Sequence, residues 1–166
     1  MNTHTHLRKL LTLAAAAMVA VGSTLVAAPT ASAEKASLVW YLERTYREVI
    51  DIGKEGDSVG DLTVTNGNIS ETRNGKAVGS YVTSQITVSV LIPGGRQDRK
   101  SDIALNVGKD TIYATSLVAA NAGTPPTKRT LMAITGGTGK YSGARGQIVL
   151  RPLSDTQYKV SFFFVD

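Results

Sequence analysis

From residue 37 onward the chain alternates with period two. β-Branched and other apolar residues interleave with polar ones in run after run, and turn signals break the runs at short intervals. The first run lies within Ser37–Ile50. It puts Leu38, Trp40, Leu42 and Arg44 on one face and Val39, Tyr41, Glu43 and Thr45 on the other. The second extends from Val59 to Glu71, with a break expected near Asn66-Gly67. Arg73-Asn74-Gly75-Lys76 reads as a hairpin turn, because Asn-Gly suits type I′ geometry. The third run is Ala77–Ile92, with a slip of register expected at Ser84. Pro93-Gly94-Gly95 ends it, and a charged loop carrying Arg96, Arg99 and Lys100 is expected next. Ser101–Val107 and Thr111–Val118 form a hairpin around Gly108-Lys109-Asp110. Beyond the Pro/Gly loop Ala119–Lys128, the runs Arg129–Ile134, Gly143–Arg151 and Gln157–Val165 complete eight strands.

Eight short strands without a helix leave a sandwich or a barrel. In the last run Tyr158, Val160, Phe162 and Phe164 share one face, while Phe163 and Val165 lie on the other, so both faces need cover. Closure also removes sheet edges, which a chain without cysteine cannot protect by cross-linking. The expected fold is therefore all-β, an eight-stranded antiparallel barrel. Such a barrel has an interior just large enough for side chains or one small ligand. Apolar residues left on its outside suggest a subunit interface.

The first 33 residues read as a cleaved signal peptide. Arg8 and Lys9 form a basic start, Leu10–Val21 an apolar centre and Ala31-Ser32-Ala33 a small-residue cleavage site. Cleavage after Ala33 leaves residues 34–166, a single domain of 133 residues exported from the cell and without a membrane span. Both histidines, His4 and His6, lie in the removed part. A mature chain without His or Cys excludes a Ser-His-Asp triad, a Cys nucleophile, a His- or Cys-ligated zinc site and a disulfide framework. Taking Arg8 and Lys9 from the 18 basic residues leaves 16 against 13 acidic ones, a mild surplus of three. No basic stripe is interleaved with aromatics, so a nucleic-acid partner is not expected.

Ala133–Gln147, reading AITGGTGKYSGARGQ, is the densest glycine segment. Gly136, Gly137 and Gly139 supply a tight turn, and Gly143 and Gly146 leave room for a close approach of backbone or ligand. By spacing alone this is a glycine-rich hairpin with a solvated Arg145. The segment also resembles the C-terminal signature of the allene oxide cyclase and dirigent superfamily of small β-barrels. Ile134–Gly139 and Gly146-Gln147 are cyclase-like, while Ala144-Arg145-Gly146 is dirigent-like. Val59-Gly60-Asp61-Leu62 with Asn66 resembles an early cyclase stretch, although Val64 stands where the cyclases carry a proline. Thr138 stands where some dirigent proteins carry an acid.

The resemblance implies a trimer of barrels that holds an unsaturated or phenolic molecule in the lumen and steers ring closure or coupling. No cofactor is implied. Restricting conformations needs few functional groups, which suits a chain without His or Cys. Arg145 is the candidate for stabilising an oxygen that gains negative charge; the alternative is a surface salt bridge. Glu43 or Asp61 is the candidate acid–base partner. Pairing of Glu43 with Arg44 or Arg47, and turn capping by Asp61, are the structural alternatives. Tyr81, Tyr113, Tyr141, Asn66 and Gln147 are candidates for contact with the ligand; core packing and turn chemistry compete for the tyrosines and for Asn66. Three functions remain open from the residues: a steering, isomerase-like enzyme, a carrier of apolar metabolites, and a structural barrel whose lumen is filled.

Overall fold

The computed structural model describes residues 36–165, so the expected signal peptide and both histidines lie outside the described residues. The described chain forms eight strands: β1 Leu38–Ile50, β2 Leu62–Ser70, β3 Gly79–Val90, β4 Arg96–Val107, β5 Asp110–Asn121, β6 Thr130–Thr138, β7 Gly146–Pro152 and β8 Gln157–Phe164. Each pairs antiparallel with the next, and β8 pairs with β1, closing the barrel. The expected fold class is what is found. With simple up-and-down order, the β1–β2, β3–β4, β5–β6 and β7–β8 connections share one end, here called upper. The other connections and the described ends of the chain share the lower end.

Closure lets every strand bury one face. The inward set includes Trp40, Leu42, Ile69, Leu105, Ile112, Ile148, Val160 and Phe162, all buried. The lower half of the lumen is filled by rings. Trp40 meets Phe162 edge-on at 4.9 Å and Tyr141 edge-on at 6.2 Å, and Phe164 stacks on both Tyr141 and Phe162. Tyr141 comes from a single 3₁₀ turn, Gly139–Tyr141, that the glycine segment makes possible. Gly139 has φ of 61°, and a side chain there would meet Asp110. Gly146 has φ of 125°, and a Cβ would collide with the Phe163 carbonyl. The close approach at Gly146 is thus the β7–β8 ladder that helps close the barrel.

Several expectations about strands and turns need correction. The Asn74-Gly75 turn is not type I′: only Asn74 has positive φ (59°), and Gly75 N–H donates to the Thr72 carbonyl at 3.0 Å. The expected loop Ala119–Lys128 begins later, because β5 runs to Asn121. Arg96, Arg99 and Lys100 lie inside β4, which begins at Arg96, because alternate residues of this polar stretch face a polar part of the lumen. β2 runs unbroken past Asn66-Gly67. The irregularity is on its partner instead: the β1–β2 register shifts between Arg44 and Tyr46. A Cβ on Gly67 would strike the Glu43 carbonyl and the Tyr81 ring, so the glycine accommodates that bulge. In β3 the register does not slip at Ser84. Its shift against β4 comes later, between Thr87 and Ser89. The polar set Tyr81, Thr83 and Gln85 lines the lumen, while Val82 and Ile86 are exposed outside.

Candidate functional site

The bulge in β1 decides what the upper lumen is made of. Leu38, Trp40, Leu42 and Arg44 share the inward face. Regular alternation would next bring in Tyr46 and Glu48. One extra residue at Thr45 resets the phase. Tyr46 and Glu48 are exposed, and Arg47 lines the lumen beside Arg44.

Above the aromatic floor lies a cavity. Its volume is about 60 Å³. At about 10–15 Å³ per water on that measure, the space suits a ring-sized molecule rather than a long chain. Leu42, Ile103, Val118, Met132 and Leu150 give apolar wall; Thr65, Thr83, Gln85 and Ser101 give polar wall. Arg44, Arg47 and Lys128 bring three cations, and among the described residues no lining side chain is acidic. Tyr81 and Tyr158 add two phenols, and the β5–β6 loop places Pro125 and Pro126 at the mouth.

Two polar atoms on this wall are buried without a partner, Arg47 Nη2 and the Tyr81 hydroxyl. Tyr81 is only 2% exposed. Burial first, and then the neighbouring Tyr158, push its phenol well above the ordinary tyrosine range, so it stays a neutral donor at neutral pH. Burial also works against the charged form of Arg47, and Arg44 works in the same direction.

A second buried arginine braces the mouth. Arg99 is 3% exposed. Its Nε and Nη2 donate to Gln97 Oε1 at 3.2 and 3.0 Å. Nη2 also donates to the Asn121 carbonyl at 3.0 Å, and Nη1 to the Thr124 carbonyl at 3.2 Å. Those carbonyls belong to the end of β5 and the start of the loop carrying Pro125, Pro126 and Lys128, so Arg99 ties the rim to the barrel wall.

Of the eight candidate residues read from the sequence, the structure brings Tyr81 alone to the cavity wall. Arg145 is exposed in the β6–β7 connection at the lower end, opposite the mouth; its carbonyl accepts from the Val165 N–H at 3.1 Å. Glu43 is exposed on the outer face of β1. Asp61 is buried in the upper β1–β2 connection as a loop brace. Its Oδ1 accepts from the Ile52 N–H (3.1 Å) and the Ser58 hydroxyl (3.0 Å), and its Oδ2 from the Ser58 N–H (2.7 Å). Asn66 is half-buried on the outward side of β2, where Thr45 Oγ1 donates to its Oδ1 at 3.4 Å. Gln147 and Tyr113 are exposed on outer faces, and Tyr141 belongs to the floor. Arg145, Glu43 and Asp61 therefore do not form one site. Arg44, Arg47 and Tyr158 were missed as site residues. Arg44 and Tyr158 carried a signal, each continuing an apolar inward face. Arg47 carried none, since only the bulge turns it in.

The fold has known counterparts. A pyocyanin demethylase structure is similar over 77% of this chain and 98% of that one, with a TM-score of 0.62 and 23% identity. What is shared is the fold. A pterocarpan synthase dirigent protein is similar over 75% of this chain and 84% of that one, at a TM-score of 0.48 and 19% identity. The eight-stranded antiparallel barrel expected from the sequence is what the described chain forms. No protein-family model and no curated protein matches the chain.

Proposed function

We propose that this barrel binds a ring-sized unsaturated or phenolic molecule in its upper lumen and steers a ring closure or coupling of it, without a cofactor. The observation that carries this reading is the cavity itself. It is closed below by packed rings, open above, and lined by Arg47 and Tyr81, each of which carries a buried donor atom without a partner. Apolar wall would hold the body of the ligand in one conformer. Fixed donors would stabilise an oxygen that gains negative charge as a bond forms. That role passes from Arg145 to Arg47, Arg44 and Tyr81, which line the cavity. The test is product distribution. A phenylpropanoid alcohol and a one-electron oxidant are incubated with and without the protein. A shifted isomer ratio that Arg47→Gln abolishes is expected; an unchanged ratio with the native protein overturns steering.

One observation favours simple carriage as the second reading. None of the lining residues is Asp, Glu or His, so the wall offers no obvious general base. A bound molecule that leaves unchanged supports the carrier. The third reading, a structural barrel with a filled lumen, fits only the lower half.

Two further expectations belong to the same proposal. Export follows from the signal-like start, tested by N-terminal sequencing of the protein from culture medium. Assembly into a homotrimer is supported by the exposed apolar side chains on the outer face of β1 to β3, among them Tyr46, Ile50, Val82 and Ile86. Sedimentation equilibrium measures the oligomer; a monomer at micromolar concentration overturns it.

A further inference from the structure

Charge in the lumen is lopsided. Arg44, Arg47 and Lys128 line the cavity, and Arg99 sits buried close enough for its charge to act against that of Arg47. Among the described residues, no acidic side chain lines the cavity. The Lys100–Asp102 and Lys140–Asp110 ion pairs are the two among the described residues, and neither involves a lumen cation. Arg99 is paired to carbonyl and amide oxygens rather than to a carboxylate. Asp57 and Asp61 act on Arg99 from the loop side of the barrel wall, while the partly buried Arg47 has Arg44 and Arg99 as charged neighbours. An anion brought into the cavity relieves both the desolvation of Arg47 and that repulsion.

The donors are also matched to an anion's oxygen. Tyr81 is buried, its hydroxyl has no partner, and Arg47 Nη2 is likewise unsatisfied. Both residues line the cavity, and buried donors of this kind normally have acceptors. Leu42, Ile103, Val118 and Met132 complete the wall with surface suited to a flat apolar body.

We propose that the upper lumen is an anion site, taking a flat, mostly apolar acid whose ionised oxygen, phenolate or carboxylate, is held by the Arg47 guanidinium and the Tyr81 hydroxyl. This rests on the lumen-binding reading above and sharpens it. The charged oxygen enters first and the ring packs behind it. A steered reaction then proceeds from a ligand already ionised, and a carried metabolite is an organic acid rather than a neutral lipid.

The test uses 4-nitrophenol, whose phenolate is yellow and whose neutral form is not, with 4-nitroanisole as a neutral partner of similar shape. The purified protein is titrated with each across pH, and the protonation state of bound nitrophenol is read by its absorbance. The expected result is a downward shift of at least about one pKa unit on binding, equivalent to about tenfold preference for the phenolate. Tyr81→Phe is expected to weaken phenolate binding by about tenfold, and Arg47→Gln to abolish the shift. Arg129→Gln removes one positive charge from the outer surface and should leave the shift unchanged. Circular dichroism checks that each variant is folded. Bound nitrophenol with an unchanged or raised pKa overturns the anion site and leaves the lumen reading intact. A shift that persists in Arg47→Gln and Tyr81→Phe also overturns it. Binding of neither compound overturns both readings.

Discussion

Tyr81→Phe is expected to make the protein more stable and a worse binder. The ring lies in the lumen wall at 2% exposure, and the hydroxyl has no hydrogen-bond partner. An unsatisfied buried polar group costs roughly 1–3 kcal/mol. Phenylalanine keeps the ring and removes the orphan oxygen, so little cavity penalty offsets the gain. We expect stabilisation of about 1–2 kcal/mol. At roughly 2.1 cal/mol/K of unfolding entropy per residue, a barrel of about 130 residues gains about 4 °C in Tm per kcal/mol, hence roughly 4–8 °C. Calorimetry on wild type and Tyr81→Phe without ligand measures this. Tyr158→Phe is the control, because its hydroxyl is not among the orphaned atoms, and it should stay within about 2 °C. A Tm for Tyr81→Phe equal to or below wild type shows that the hydroxyl is satisfied in the resting protein. The orphan-donor reasoning then fails, along with the binding role built on it.

Gly67→Ala should destabilise by about 1–3 kcal/mol, since its Cβ would meet the Glu43 carbonyl across the bulge; chemical denaturation measures the loss. Arg99→Lys replaces a planar fork with a point donor. It should loosen the β5–β6 loop and cost about 2–3 kcal/mol, read as faster hydrogen exchange in the residues after Asn121. The Asp61 carboxyl lies below the ordinary aspartate range, chiefly because the Ser58 N–H donates to it. Its contribution is complete above about pH 4 and is lost as pH falls through the lowered native value. Asp61→Asn should therefore lower Tm at neutral pH, with the gap to wild type closing below about pH 4. A gap constant with pH would contradict the loop-bracing role.

The architecture was legible because burial on closure is a property of whole strands. Eight alternating runs and the twice-covered last strand pointed to a closed sheet without knowledge of any one register. The site was not legible to the same degree, since a site depends on single positions. In β3 alternation alone left open which set faces inward, and only Tyr81 was a candidate. Yet Tyr81, Thr83 and Gln85 line the lumen, because this barrel keeps its upper half polar and leaves apolar residues for the outside. The glycine segment misled in the other direction. Its spacing is demanded by the 3₁₀ turn at Gly139 and the tight ladder at Gly146, so Arg145 lies among structural glycines at the closed end.

Arg47 shows the limit most sharply. Strict alternation assigns it to the outer face of β1 and assigns Tyr46 and Glu48 to the lumen. One inserted residue at Thr45, accommodated by Gly67 across the ladder, exchanges those faces. The exchange replaces an inward carboxylate with an inward guanidinium and so sets the sign of charge in the cavity. No composition or periodicity holds that information. It resides in the pairing of β1 with β2, where a glycine stands across from the bulge. If the bulge is what makes the lumen cationic, Gly67→Ala should weaken phenolate binding more than it weakens binding of the neutral ether, even under conditions where the variant is fully folded.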